Sequence, residues 1–158
     1  MRHAINVVVE IGESGRPVLE SILVETVEGG DHVVAASPGL AVGFAAGDVI
    51  RVDSQGRYSV VSRGGNLCVW IFGEAHVLVS MDRAIEDAVQ RLAGRIDGSD
   101  TPLRVLTVPL KANGFPAIER ELNQLAEANA TVEWYFGNVY DPGDGVTPLD
   151  WWLGGERA

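Results

Sequence analysis

The stretch from Val42 to Trp70 reads VGFAAGDVIRVDSQGRYSVVSRGGNLCVW and carries the densest β-strand signal in the chain. A Gly-Asp turn leads into one strand, a tight turn at Ser54-Gln55-Gly56 leads into a second, and a Gly-Gly break precedes a third. Valine-rich runs bounded by Gly, Asp and Ser are typical of antiparallel strands joined by short turns. The stretch also stands where a front half of strands meets a back half with helical patterns, so we expect it to organise the fold.

Three further strand patterns precede this stretch. Residues 4–11 alternate apolar and polar side chains, which predicts a half-buried strand. Residues 18–27 carry aliphatic side chains on both faces, which favours a central strand with Glu20 on a largely apolar face or at the rim near the strand end. A short strand at 32–36 is broken by Ser37-Pro38-Gly39, because proline and glycine interrupt regular pairing.

Downstream of the stretch, strands and helices alternate. The predicted segments are a strand at 76–80, a helix that Ser80 caps and that runs to Ile96 with a stop at Gly98, a strand at 103–109, a helix that Asn113 caps, and a strand at 131–136. A run of strands followed by such alternation predicts the α+β class. We expect an N-terminal antiparallel β-sheet or small barrel, followed by a β-α-β-α-β half with two helices packed on a sheet.

The domain organisation follows from this order. A chain of 158 residues is long enough for one domain. We therefore predict a single compact domain over residues 1–136, with a front β half over about 4–66 and a helix-containing half over about 67–136. Residues 137–158 form a C-terminal tail rich in Gly, Pro, Asp and Trp.

Composition narrows the classes of function. The net charge of −10 would repel phosphate backbones, so we expect no nucleic-acid partner, whereas a basic protein would be attracted. No apolar run reaches the roughly 18 residues of a membrane span, so we expect no membrane partner. The single cysteine, Cys68, lies within a strand pattern and is predicted to be a buried packing thiol. These features together favour a cytoplasmic protein.

The sequence holds no motif that specifies a reaction. It has neither the GxxxxGK[ST] nor the GxGxxG pattern of phosphate-binding loops. One cysteine and three scattered histidines do not supply a zinc site. Glu74 and His76 lie two residues apart and would share one face of a strand, but as an isolated pair they are weak evidence for catalysis or metal binding. We therefore predict that the protein is not an enzyme and has no catalytic residue, metal or cofactor.

The tail is the first candidate binding site. It places aromatic side chains beside carboxylates, a combination that suits the binding of a basic protein. The predicted partner-binding residues are Tyr140, Asp141, Asp144, Asp150, Trp151 and Trp152. The alternative is that the two tryptophans fold back and cover the sheet.

A second candidate site lies near the glycine breaks of the central stretch. Asp48, Arg63 and Asn66 are the polar groups that would line a pocket between the front sheet and the helical half. For Asp48 the alternative is structural, because an aspartate after glycine commonly accepts backbone N–H groups in its own turn.

Several segments together resemble the bacterial domain of unknown function 4265. They are VLESILVETV, AAGDVIRVDSQGRYSVVSRGGNLCVWI and LRVLTVPL, with a helix between the last two. The resemblance covers roughly residues 5–136, and the positions that match its motifs are Glu20, Gly47, Asp48, Val49, Ser62, Gly64, Val108 and Pro109. The chain departs from the family's aromatic "PF" loop, where it has SPGLAVGF, and adds the Trp-rich tail. The resemblance implies no catalytic residues.

Three hypotheses for function follow. The first is an immunity-type protein that neutralises a cognate bacterial toxin by occluding its active site, with a basic toxin domain as partner. The second is a small-molecule-binding module or small enzyme with a pocket between the β half and the helical half. The third is a regulatory or scaffold subunit, which only the identity of the partner would separate from the first.

Overall fold

A computed structural model of the chain describes residues 1–100 and 102–153. Its front sheet has five antiparallel strands, each paired with the next in chain order. These strands are β1 (Arg2–Ile11), β2 (Pro17–Thr26), β3 (His32–Val34), β4 (Val49–Val52) and β5 (Tyr58–Ser62). The sheet is curled, so that β1 also meets the turn between β4 and β5. There the Val8 N–H donates to the carbonyl of Gly56 at 2.8 Å.

The back sheet has four antiparallel strands in the order β7-β8-β6-β9. Its strands are β6 (Asn66–Phe72), β7 (Arg95–Asp100), β8 (Leu103–Pro109) and β9 (Glu133–Phe136). The helices are α1 (Ala75–Arg91), the short α2 (Leu110–Asn113) and α3 (Phe115–Glu127). The predicted α+β class is confirmed, as is a strand-rich N-terminal sheet followed by a half with helices.

Each of the two sheets has a hydrophobic core on one of its faces. The inner face of the front sheet buries Ile22, Val24 and Ile50 around Phe44, which comes from the loop between β3 and β4. The back sheet packs one face against α1 and α3, where Leu78, Ile85 and Leu122 are buried. Apolar side chains at helical spacing fit this arrangement, since they place one stripe of each helix on the sheet.

The loop between β3 and β4, residues 35–48, lies between the two sheets. Ala45 from this loop packs with Cys68 and Val105 of the back sheet in a third buried cluster. The Trp70 indole N–H donates to the Pro38 carbonyl at 2.8 Å, so the back sheet also holds the loop by a hydrogen bond. The loop therefore fixes how the two sheets meet.

The helical boundaries differ from those predicted. The strand predicted at 76–80 is wrong, because α1 already begins at Ala75 and Ser80 lies within it. The helix ends at Arg91, and Gly94 N–H closes it on the Val89 carbonyl at 2.9 Å. Ile96 and Gly98, predicted as the helix end, belong instead to β7. Within the described ranges, no helix is long and apolar enough to cross a membrane.

Candidate functional site

Asp48 is fully buried, and its carboxylate accepts hydrogen bonds from the surrounding backbone. One carboxylate oxygen accepts the N–H of Ala45 at 2.9 Å, and the other accepts the N–H of Gly64 at 2.8 Å. Arg63 lies 3.4 Å from the first oxygen. Burial raises the pKa of Asp48, while the two N–H donors and the Arg63 charge act in the opposite direction. Asp48 thus joins the loop before β4 to the loop after β5, as its structural interpretation predicted.

The same junction explains two glycines. A Cβ on Gly64 would lie 2.5 Å from the carbonyl carbon and oxygen of Gly47, so the two backbones are in direct contact. Gly47 itself has φ of +93°, a conformation that residues with a side chain rarely adopt. Gly47, Asp48 and Gly64 therefore act together as an architectural clamp between two loops.

Arg63 and Asn66 also bind backbone groups. Arg63 donates to the Gly43 carbonyl at 2.7 Å, and its guanidinium lies 5.3 Å from the centre of the Trp151 ring. Asn66 donates to the Ala46 carbonyl at 2.8 Å and lines a small cavity of about 200 Å³. The structure thus brings Asp48 and Arg63 together at the clamp, with Asn66 beside it.

Cys68 lies in a buried polar network between the sheets. The Cys68 thiol interacts with the side chain of Ser37, whose hydroxyl is 2.6 Å from the Thr107 hydroxyl. Thr107 donates in turn to Asp97, and the Ala46 N–H donates to the Ser37 hydroxyl at 3.0 Å. Burial raises the pKa of the Cys68 thiol, so the group stays protonated and fits the predicted packing role.

The predicted tail packs against the back sheet as far as the structure describes it. Trp151 is half-buried and donates its indole N–H to the Asn138 carbonyl at 2.9 Å. Trp152 is also half-buried, in edge contact with Phe115 at 5.1 Å between ring centres. Both rings pack against the core under α1 and α3. Residues 154–158 of the predicted tail lie outside the described residues.

The three tail aspartates are exposed on the turns around these rings. Asp144 accepts the backbone N–H groups of Val146 and Thr147, each at 2.9 Å, and the Thr147 hydroxyl. These donors lower the pKa of Asp144, with the Thr147 hydroxyl contributing most. Asp141 accepts the Gly143 N–H at 2.7 Å. Asp150 has a positive φ of 57° and immediately precedes Trp151.

A concavity of about 420 Å³ runs beside β9, the edge strand of the back sheet. We call its lining the aromatic face, which consists of Trp134, Tyr135, Phe136, Tyr140, Gly145 and Val146. Tyr135 lies between Trp70 and Tyr140, with ring centres 6.0 and 5.5 Å away. Burial raises the pKa of Tyr135, and Tyr140 and the nearby Asp144 carboxylate raise it further.

A larger groove of about 590 Å³ lies on the other side of the molecule, between β2 and β7. Its walls are residues 20–23 of β2, residues 36–40 of the loop, residues 97–100 of β7, and Pro102, Leu103 and Val105. The charged side chains among its lining are Glu20, Asp97 and Asp100. This groove was not predicted from the sequence. The one available signal was the Ser37-Pro38-Gly39 break, which ends β3 early.

The residues brought together at these places do not form a metal cluster. In the described part of the chain, no group of three or more His, Cys, Asp and Glu side chains is arranged to hold a metal ion. Glu74 and His76 stand 3.6 Å apart, both exposed, at the start of α1 instead of on a strand.

Comparisons with known proteins support the resemblance. The model of the family described as "Domain of unknown function (DUF4265)" matches residues 20–134. A search of curated proteins found no match. A crystal structure described as that of a hypothetical protein from Neisseria gonorrhoeae is similar in fold, with a TM-score of 0.61 and 16% identity over 87% of this chain and 94% of that one.

Proposed function

The chain belongs to the family of the domain of unknown function DUF4265, and from this premise we propose that it is a protein-binding, immunity-type protein. It acts in the cytoplasm and neutralises a cognate bacterial toxin by covering the active site of a basic toxin domain. The aromatic face is the surface that makes this contact.

The observation that carries the proposal is the composition of the aromatic face and its rim. Protein interfaces are rich in Tyr and Trp at their centre, because these rings supply large contact areas with few rotatable bonds. Here Tyr135 and Tyr140 are half-buried and Val146 is 71% exposed. A partner that covers this surface would gain apolar contact area without a rearrangement of the fold.

The charges around the face favour a basic partner. The rim carries three exposed carboxylates. Glu133 directly precedes Trp134, Asp141 directly follows Tyr140, and Asp144 accepts the N–H of Val146. The whole chain carries a net charge of −10. Opposite charge on a partner accelerates encounter and selects against acidic proteins. A toxin domain that acts on nucleic acid has the matching basic surface.

The test is a capture experiment with three versions of the tagged protein in its native cells. The versions are the wild type, Val146→Lys and Val79→Lys. Val146 is 71% exposed on the aromatic face, and Val79 is 65% exposed on α1, so both changes add one lysine at an equally accessible valine. We expect wild type and Val79→Lys to retain one basic protein in equal amounts, and Val146→Lys to lose most of it.

A second step tests neutralisation. The captured protein is expressed alone and together with each version, and growth is followed. Growth arrest that wild type and Val79→Lys relieve, and that Val146→Lys does not, is the expected result. A basic partner that Val146→Lys binds and neutralises as well as wild type would overturn the role of the aromatic face. Capture of no basic protein would overturn the proposed function.

A further inference from the structure

The groove between β2 and β7 contains an unpaired strand edge. β2 spans ten residues and pairs with β1 from Pro17 to Glu25, but β3 has three residues and pairs only with Val24, Glu25 and Thr26. Beyond Val24, no described strand pairs with the second edge of β2. The chain leaves this edge at Ser37-Pro38-Gly39, so the same break that ends β3 opens the groove.

The backbone hydrogen bonds identify the open groups. The Leu23 carbonyl accepts the Ala35 N–H at 2.9 Å, and the Val27 N–H donates to the Asp31 carbonyl at 2.8 Å. Odd-numbered residues of β2 therefore direct their backbone groups toward the β3 side, because successive residues of a strand alternate. The N–H and C=O groups of Ser21 consequently face the groove, and those of Leu19 point to the same side just beyond its lining.

The side chains around this edge are apolar and exposed. Leu19 is 50% exposed, Leu23 39% and Leu40 56%. Unprotected strand edges invite pairing with another chain, and proteins usually block them with charge, proline, bulges or a covering segment. At the opposite wall, β7 has a bulge between Ile96 and Gly98, which makes it a poor template for pairing. β2 pairs with β1 without a register shift from Leu19 to Glu25 and is the better acceptor.

The charge of the groove selects the occupant. Among its lining residues the charged side chains are all carboxylates: Glu20, Asp97 and Asp100. Asp97 is paired with Arg95 at 2.6 Å, whereas Glu20 accepts three neutral backbone N–H groups of the loop. The five residues 19–23 span about 14 Å at the rise of an antiparallel strand. This length and the 590 Å³ volume fit an extended segment of about four to five residues.

We propose that β2 accepts an extended segment of another protein as an additional strand of the front sheet, with apolar and basic residues alternating in that segment. The backbone groups of Leu19 and Ser21 would form the ladder, Leu23 and Leu40 would contact apolar side chains, and the net negative charge of the groove would favour lysine or arginine. Strand addition of this kind gains affinity from main-chain hydrogen bonds and specificity from alternate side chains.

This site is separate from the aromatic face. β7 and β9 are the two opposite edges of the back sheet, and the groove adjoins β7 whereas the aromatic face adjoins β9. A segment bound in the groove therefore leaves the aromatic face uncovered, and the two sites can be tested separately.

The experiment uses a fluorescent hexapeptide in which lysine or arginine alternates with valine, and a second peptide in which glutamate replaces the basic residues. Binding to the full chain is followed by fluorescence anisotropy. Ser21→Pro removes the N–H that faces the groove and keeps the β1 ladder, which uses the even-numbered residues; Ser21→Ala is the matched control. We expect the basic peptide to bind wild type and Ser21→Ala, and to bind Ser21→Pro about tenfold more weakly, the effect of one backbone hydrogen bond.

Hydrogen exchange on the wild-type protein provides a readout that does not depend on the variant folding. We expect the basic peptide to slow exchange of the Ser21 amide, with little change at the amides of Glu20 and Ile22, which face β1. Val146→Lys should bind the peptide as wild type does. Failure of the basic peptide to bind, equal binding of the acidic peptide, or binding without protection of Ser21 would each overturn the proposal.

Discussion

The Glu20 carboxylate accepts the backbone N–H of Gly39 at 2.7 Å. Its second oxygen accepts the N–H groups of Leu40 at 3.0 Å and Ala41 at 2.7 Å. One side chain of β2 thus holds three successive amides of the loop that forms a wall of the groove. The rim position expected for Glu20 is therefore a loop-binding position, which a pattern of alternating residues does not reveal.

Glu20→Gln should destabilise the protein by about 2 kcal/mol, because an amide presents one acceptor oxygen where the carboxylate presents two charged ones. Urea unfolding at pH 7 measures the effect, and hydrogen exchange should show faster exchange of the Gly39 to Ala41 amides. Glu28→Gln, at an exposed carboxylate in the turn after β2, is the control and should change stability little. Equal stability of the two variants would contradict the loop-binding role.

The clamp predicts a difference between two adjacent glycines. Gly64→Ala forces a Cβ to within 2.5 Å of the Gly47 backbone, and we expect it to cost about 3 kcal/mol or more. Gly65→Ala meets no atom within 4 Å and suffers only from its φ of +89°, so we expect a cost of about 1–2 kcal/mol. Urea unfolding of both variants checks the order. Equal costs would mean that the backbone relaxes at the Gly47 contact.

Much of the fold was predictable because its signals are local. Two examples are the turn at Ser54-Gln55-Gly56 and the break at Ser37-Pro38-Gly39. Both contain turn-forming residues that can be recognised directly in the sequence. β7 was missed because RIDGSD contains a single apolar residue, Ile96, and is held as an edge strand by backbone pairing with β8. The start of α1 was missed because Val77 and Val79 favour a strand locally, whereas the buried stripe of the helix decides its conformation.

The sites were less predictable because they combine distant segments. The groove joins β2 to a loop about 16 residues later and to β7 about 75 residues later, so no local motif describes it. The role of Asp48 in its turn was predicted from its neighbours, but its contact with Gly64 depends on the pairing of β4 with β5. The packing of the tail tryptophans depends on Asn138 and Phe115, which the sequence could not place beside them.

The ion pair between Arg91 and Glu121 joins α1 to α3 and should give a pH-dependent contribution to stability. Two hydrogen bonds of 3.0 and 2.8 Å from Arg91 lower the pKa of Glu121 below the ordinary value of 4.5 for a glutamate. The unfolded chain therefore binds a proton first as pH falls, so the contribution is present above about pH 4.5 and is lost as pH falls through the lowered pKa.

Glu121→Gln should consequently lower the free energy of unfolding by about 0.5 kcal/mol at pH 7, a small value because Arg91 is 56% exposed and water screens the pair. The difference from wild type should shrink at pH 3. Glu86→Gln, at an exposed carboxylate on the same helix, is the matched control and should change stability little at either pH. Urea unfolding at both pH values is the measurement. A difference that grows at low pH would contradict the direction of the pKa shift.

Trp151 should contribute to the stability of the fold. Trp151→Ala removes the hydrogen bond to Asn138, the contact with the Arg63 guanidinium and the packing on Trp152. Because the ring is half-buried, we expect a cost of about 2–4 kcal/mol, at or below the range for fully buried aromatic residues.

Leu153→Ala is the control for Trp151→Ala, since Leu153 is 67% exposed two residues further along and should cost no more than about 0.5 kcal/mol. Urea unfolding of the two variants gives the comparison. If Trp151→Ala is as stable as Leu153→Ala, the described tail does not stabilise the back sheet. In that case, loss of a partner by Trp151→Ala would report directly on binding. If it is destabilised as expected, such a loss mixes unfolding with binding, and Val146→Lys is the variant that separates them.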